Sequence, residues 1–177
     1  MRATRKHNQI VLTVGHFEAQ VLEGCLRSIL LHYQAAPEQL DPKIAEVWYS
    51  TRGCRSAKMS EAETREWRQG LREFKSANLK LIKSWMEQLE AGTGENRRLQ
   101  LSLEEAAALV SVVNDHRLFL AAKFDIGQAE MDLHSLEALH ELQPGRQFAL
   151  YQIHLLAWLM EELLRSISPE AANWMER

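Results

Sequence analysis

The sequence predicts an all-α domain of five or six helices, with one long coiled-coil-like helix and room for a short two-stranded ribbon. Apolar residues recur at spacings of three and four through most of the chain, which is the period of an amphipathic helix. The capping-box motif S-x-x-E, typical of helix N-termini, starts at Ser60 and again at Ser102. Four Pro and eight Gly in 177 residues leave little room for long linkers, so one domain over residues 1–177 is expected.

The first elements predicted are a short strand and a helix. Residues 9–14, QIVLTV, are rich in β-branched side chains and favour a strand. From His16 to Gln34 an apolar stripe follows one helix face, formed by Val21, Leu22, Cys25, Leu26, Ile29, Leu30 and Tyr33. Asp41 and Pro42 then match the cap and first position of a short helix.

The longest predicted helix covers residues 61–91, between the Ser60 cap and the stop signal at Gly92. Its apolar seam alternates spacings of four and three, as in a coiled coil. The seam consists of Trp67, Leu71, Phe74, Asn78, Leu81 and Trp85. A single polar residue such as Asn78 in a seam commonly fixes register or oligomeric state. We therefore expect a homodimer or another protein partner.

The second half of the chain repeats the order of strand and helix. Residues 98–102, RLQLS, form a second extended stretch that could pair with the first. Helices are then expected at residues 103–124, 132–142 and 146–167. The last of these is apolar over more than half its circumference, so we expect it at the centre of the fold.

Positive charge is concentrated in one segment. The net charge of the chain is −3, but residues 52–83 hold nine Lys and Arg against four Glu, which makes this segment +5 and the remainder −8. With Trp48 and Tyr49 alongside, it is a candidate surface for nucleic-acid phosphates or an acidic protein. The cations assigned to this candidate surface are Arg52, Arg55, Lys58, Arg65, Arg68, Arg72, Lys75 and Lys83. A solvated helix face balanced by the glutamates is the commoner role of such a pattern.

A polar run, Asn114 to Arg117, interrupts the apolar helix 103–124. At about 100° per residue, Asn114 and Arg117 project into the apolar stripe, whereas Asp115 and His116 point away from it. A buried guanidinium is costly unless it is paired, so Arg117 is expected to bind a carboxylate.

Two acids are candidate partners of Arg117. Glu18 ranks first, because an acid inside the apolar stripe of the first helix needs a partner. The alternative is that Glu18 only interacts favourably with the N-terminus of its helix. Glu162 lies at the margin of the apolar arc of the last helix. The sequence thus predicts a structural role for the polar run.

Catalytic and metal-binding signals are weak. Asp115 and His116 are consecutive, so on a helix they project about 100° apart and do not form an acid–imidazole relay. Glu137 and His140 form an E-x-x-H, with His134 nearby, but a di-iron bundle needs a second copy and further carboxylates. We therefore expect no cofactor and no enzymatic activity.

The N-terminus and the cysteines are used to predict the cellular compartment of the protein. The basic start is followed by only a short apolar stretch, IVLTV, without the long apolar region of a secretory signal. No apolar run approaches the length of a membrane span. Cys25 and Cys54 suggest no disulfide framework. A soluble cytoplasmic protein with free thiols is expected.

Three stretches resemble an uncharacterised, all-helical bacterial family of domains of unknown function, best represented in actinobacteria. They are VLTVGHFEAQVLEGCL, SVVNDHRLFLAAKFDI and YQIHLLAWLMEELL. The matching residues are Glu18, Asn114, Asp115, Arg117, Trp158, Leu159 and Glu161. The resemblance covers half of the chain and implies no established activity, although some members are labelled regulators. It also favours Glu161 where helical projection favours Glu162.

The sequence therefore favours a non-catalytic binding or regulatory protein of unknown ligand. The alternative is a nucleic-acid-binding module that uses the basic 52–83 segment. A third and weaker hypothesis is an enzyme or metal protein built on His134, Glu137 and His140.

Overall fold

The computed structural model describes residues 1–92, 94–131 and 141–168. The strands are β1 (Arg2–Lys6), β2 (Gln9–Gly15) and β3 (Asn96–Ser102). The helices are α1 (His16–Gln34), α2 (Pro42–Trp48), α3 (Arg52–Ser56), α4 (Glu61–Ala77), α5 (Leu79–Ala91), α6 (Leu103–Phe124), α7 (Gln128–Met131) and α8 (Pro144–Ile167). A 3₁₀ turn at Pro37–Gln39 precedes α2.

The prediction of an all-α fold is wrong, because the mostly helical chain also contains a three-stranded antiparallel sheet of order β1-β2-β3. The two strands predicted from the sequence both form and pair with each other, with Ile10 opposite Leu101 and Leu12 opposite Leu99. Strand β1 is not predicted from the sequence, since RATRK carries three cations and no apolar alternation. Such charged, short strands are typical of sheet edges.

The sheet buries one face against the helices. Ile10, Leu12 and Val14 of β2 lie on that face together with Leu99 and Leu101 of β3, and all five are buried. Strand β2 leads directly into α1, and β3 leads directly into α6. The pairing of the two strands therefore starts both helices from the same sheet, and α1 packs against α6.

Helix α6 is the central helix of the described structure, because it packs against α1, α2 and α8. Its buried residues are Ala106, Leu109, Val112, Val113, His116, Phe119 and Leu120. The expectation that the last helix is central is wrong. Helix α8 covers α6 with one side and leaves Phe148, Tyr151 and Trp158 exposed on the other.

The single helix predicted over residues 61–91 is also wrong, because the chain turns at Asn78 between α4 and α5. The Asn78 backbone N–H donates to the Lys75 carbonyl at 3.1 Å, a 3₁₀-type bond that ends α4. The rest of the protein buries the large aromatic side chain of the predicted seam that follows this turn, but not the two that precede it. Trp85 is fully buried, whereas Trp67 and Phe74 are 48% and 55% exposed.

Ser102 caps the central helix. Its Oγ accepts a hydrogen bond from the Glu105 N–H at 3.0 Å, and the Glu105 carboxylate accepts one from the Ser102 N–H at 2.7 Å. We predict that Ser102→Ala lowers the free energy of unfolding in urea by about 1 kcal/mol.

The control is Ser60→Ala, which removes the same kind of cap from α4. Because most of α4 is exposed, its loss should change the global free energy of unfolding less. Equal losses in the two variants would contradict the central position of α6.

Candidate functional site

A polar cluster centred on Asp115 joins α1, α2, α4 and α6. Asp115 Oδ2 accepts a hydrogen bond from Tyr33 Oη at 2.6 Å, and it also forms a hydrogen-bonded ion pair with Lys75 Nζ. The Asp115 backbone carbonyl accepts a hydrogen bond from Trp48 Nε1 at 2.9 Å. One residue of the central helix therefore holds a side chain from each of three other helices.

Three aromatic rings surround the Lys75 ammonium. The ring centroids of Trp48, Tyr33 and Tyr49 lie 5.3, 5.4 and 5.8 Å from Nζ. All three are within the roughly 6 Å over which a ring attracts a cation. Lys75 is only 5% exposed, so the carboxylate and the rings replace the water that its charge has lost. We call Tyr33, Trp48, Tyr49 and Asp115 the cage.

The cage corrects part of the predicted binding surface. Lys75, Trp48 and Tyr49 are buried and do not belong to an open surface. The other predicted cations are exposed, namely Arg52, Arg55, Lys58, Arg65, Arg68, Arg72 and Lys83. A signal for this difference exists in the sequence, because Lys75 lies one turn after Leu71 and one turn before Asn78, on the inward side of α4.

The two tyrosines of the cage are held in their neutral form. Burial raises the pKa of Tyr33, and the charge of Asp115 and the hydrogen bond to it raise the pKa further. Burial also raises the pKa of Tyr49, against the opposing effect of the Arg72 cation. Tyr33 therefore stays a hydrogen-bond donor to Asp115.

The predicted orientation of the polar run is wrong for Asp115 and His116. Asp115 points into the cage, and His116 is 3% exposed and stacks on Phe119 with a ring-centroid distance of 5.5 Å. Asn114 and Arg117, expected to face the core, are half-buried. Because α6 is covered on several sides, no single apolar stripe defines which of its faces is inward.

Arg117 has no ion-pair partner among the described residues. Its Nε donates to the Ile153 carbonyl at 3.2 Å, and Nη1 contacts Met160 Sδ at 3.6 Å. Burial lowers the pKa of Arg117, and the charge of Glu161 opposes this effect. A helix carbonyl thus takes the place of the predicted carboxylate.

Both acids expected to pair with Arg117 have other partners. Glu18 Oε1 forms an ion pair with the Met1 ammonium at 3.1 Å. Glu162 Oε1 pairs with Arg165 at 3.3 Å, and its Oε2 accepts a hydrogen bond from the backbone N–H of Ala3 at 3.4 Å. Glu18 therefore attaches Met1 to α1, and Glu162 attaches β1 to α8, so both act at the edge of the sheet and not in the polar run.

A cleft of about 850 Å³ lies between α4 and residues 37–49. Its lining includes Arg65, Arg68 and Arg72 on α4 and the largely buried Tyr49 on the opposite side. Within the part of the chain that the structure describes, none of these three arginines has an ion-pair partner within 4.0 Å. Since Tyr49 also belongs to the cage, the cleft and the cage are neighbours.

The remaining predicted features have little bearing on this site. His134, Glu137 and His140 lie outside the described residues. Among residues 1–92, 94–131 and 141–168, no group of three His, Cys, Asp or Glu is placed to hold a metal ion. Cys25 and Cys54 are buried free thiols, and burial raises the pKa of Cys25. None of the described helices has the length and apolar character needed to cross a membrane.

Fold and site together define a mostly helical protein with a small antiparallel sheet and a buried, lysine-filled aromatic cage. The model of the family described as Domain of unknown function (DUF2017) matches residues 1–167. The chain therefore belongs to this family, which confirms the resemblance to an uncharacterised domain family. Comparison with curated proteins and with solved structures gives no match.

The ion pair in the cage predicts that the losses in unfolding free energy caused by removing each charge alone do not add up in the double variant. Lys75→Met should lower the free energy of unfolding by about 3–5 kcal/mol, because the Asp115 carboxylate is left without its cation. Asp115→Leu should cause a similar loss. In the double variant neither charge remains, so the loss should be clearly smaller than the sum of the two. Urea denaturation of all four proteins measures this, and additive losses would show that the two charges do not interact.

His116 predicts a pH dependence of stability. Burial, with a smaller effect of His32, lowers its pKa to about 4 from a usual 6.5. The neutral form is favoured in the folded state, so the stabilisation is complete above pH 6.5 and is lost as the pH falls from 6.5 towards 4. The shift corresponds to a maximum of about 3 kcal/mol. His116→Leu should remove this dependence, and parallel stability curves of the two proteins would contradict the prediction.

Proposed function

We propose that this protein is a non-catalytic binding or regulatory protein, and that the cleft between α4 and residues 37–49 takes an acidic segment of a partner protein. One observation carries the proposal. Arg65, Arg68 and Arg72 line an open cleft, and none of them has an ion-pair partner within the described residues.

The arrangement suits carboxylates. The three arginines recur at spacings of three and four, so they lie on one side of a single helix. A guanidinium offers a planar fork of donors that matches a carboxylate, and arginine is enriched at protein interfaces. Pro37 and Pro42 add apolar surface to the same cleft.

A nucleic-acid-binding module is the second candidate, based on the excess of cations in residues 52–83. One feature favours a protein partner instead. Lys75 is withdrawn into the cage and neutralised by Asp115, so it adds no cation to an open phosphate-binding surface.

Exposed aromatic side chains on the same helix support a protein partner. Trp67 and Phe74 lie seven residues apart, hence on one side of α4, and each is about half exposed. Aromatic residues are enriched at protein–protein interfaces. A second copy of the chain, as expected from the seam pattern, is one partner that this side of α4 could contact, and light scattering of the purified protein tests it.

The cleft predicts a specific loss of binding. We expect Arg65→Glu/Arg72→Glu to weaken partner binding at least about 10-fold, because two charge-assisted contacts become repulsive. The partner is identified by capture from the native cell extract, and the affinity is then measured with the purified partner. Lys80→Glu/Lys83→Glu is the control, since it changes the net charge equally on α5. Equal affinity of both variants would contradict the proposal.

The same variants separate the two candidates. A nucleic-acid-binding module should bind generic duplex DNA or RNA at low salt and lose that affinity steeply at moderate salt. Absence of binding at low salt removes this candidate. Conversely, salt-sensitive nucleic-acid binding that Arg65→Glu/Arg72→Glu abolishes would replace the protein-partner proposal.

A further inference from the structure

We propose that the cage is a binding site for a primary alkylammonium group, which Lys75 fills from within the chain and which a lysine side chain of another protein can enter when α4 moves away. The proposal concerns the cage and not the arginine-lined cleft, so it goes beyond the proposed function and can stand if that function fails.

The walls of the cage are held by contacts that do not involve Lys75. Trp48 Nε1 donates to the Asp115 carbonyl at 2.9 Å, and Tyr33 Oη donates to the Asp115 carboxylate at 2.6 Å. The Tyr33 and Trp48 rings contact each other edge to face, with centroids 5.5 Å apart and an interplanar angle of 76°. Helices α1, α2 and α6 therefore form the site by themselves, and α4 supplies only its occupant.

The chemistry of the walls selects the ligand. Ring faces attract any cation at this distance, including quaternary ammonium ions. The Asp115 carboxylate adds a directional acceptor, which receives a hydrogen bond from Lys75 Nζ. A quaternary ammonium ion has no N–H to donate. The combination therefore favours a primary alkylammonium group, the end of a lysine side chain.

The element that carries Lys75 is attached less firmly than the walls. In α4, residues 61–74 are exposed or half-buried, whereas Tyr33 and Trp48 on the wall helices are buried. The helix is interrupted at Asn78, whose buried side-chain Nδ2 has no hydrogen-bond partner within the described part of the chain. A turn with an unsatisfied buried donor is a weak point. Movement of α4 about Asn78 would leave the sheet and α6 intact.

A buried ion pair is not by itself a reason for stability, because apolar replacements of similar volume are often neutral or stabilising. Stability alone therefore does not account for a lysine in this position. A cage that binds an ammonium group, closed by a lysine of its own chain, accounts for both the aromatic walls and the charge.

The first test uses Lys75→Ala, which deletes Cγ, Cδ, Cε and Nζ, the atoms of n-propylammonium. We expect n-propylammonium chloride to raise the melting temperature of this variant saturably, and isothermal calorimetry to show binding. Tetramethylammonium chloride at equal ionic strength should bind at least about 10-fold more weakly. Lys75→Met, which refills the space with an apolar chain, should bind neither cation. Failure of Lys75→Ala to bind n-propylammonium would overturn the proposal.

Should Lys75→Ala fail to fold in plain buffer, refolding in the two cations decides the question. Recovery of the folded state in n-propylammonium but not in tetramethylammonium supports the cage. Equal recovery in both, or recovery in neither, would contradict it.

The second test asks whether the cage opens in the natural protein. Native-state hydrogen exchange should show the last turn of α4, residues 74–77, opening at a lower free energy than the amides of α6. Lys75→Met should lower the opening free energy of α4 further. If these α4 amides exchange only together with α6, Lys75 never leaves the cage in the folded protein and the proposal is overturned.

Discussion

The contacts of Asp115 are the interactions on which the arrangement of α1, α2, α4 and α6 depends. Asp115 lies on the central helix, where its carboxylate accepts hydrogen bonds from α1 and α4 and its backbone carbonyl accepts one from α2, so a single residue joins three helices to a fourth. Neither the Lys75 nor the Asp115 charge tolerates burial alone. The apolar core holds these helices together, and the ion pair joins α4 to α6.

Much of the fold follows from local sequence signals. Both capping boxes start helices at the expected residues, and β2 and β3 form and pair. Strand β1 is missed because a polar edge strand depends on pairing and not on apolar alternation. The break at Asn78 is missed because the apolar seam pattern continues from α4 into α5. The rest of the protein covers the aromatic residue of the seam on α5 but not the two on α4.

The candidate site is harder to predict, for a physical reason. A helix that is apolar on most sides has no single stripe, so its rotation is set by neighbours that are distant in sequence. The prediction turned Asn114 and Arg117 towards the core, whereas Asp115 and His116 point inward in the structure and Asn114 and Arg117 are half-buried. The prediction that Arg117 pairs with a carboxylate is wrong, because Arg117 donates to a helix carbonyl; the ion pair of this region lies between Lys75 on α4 and Asp115 on α6 and was not predicted.

The position of the Lys75 ammonium tests the account most directly. NMR of the protein labelled with ¹⁵N at lysine Nζ observes this group at near-neutral pH only if exchange of its protons with water is slow. We expect a visible Lys75 ammonium signal with nuclear Overhauser contacts to the rings of Tyr33 and Trp48, and none for exposed Lys80 and Lys83. A Lys75 group that exchanges as fast as Lys80, without ring contacts, would contradict the account.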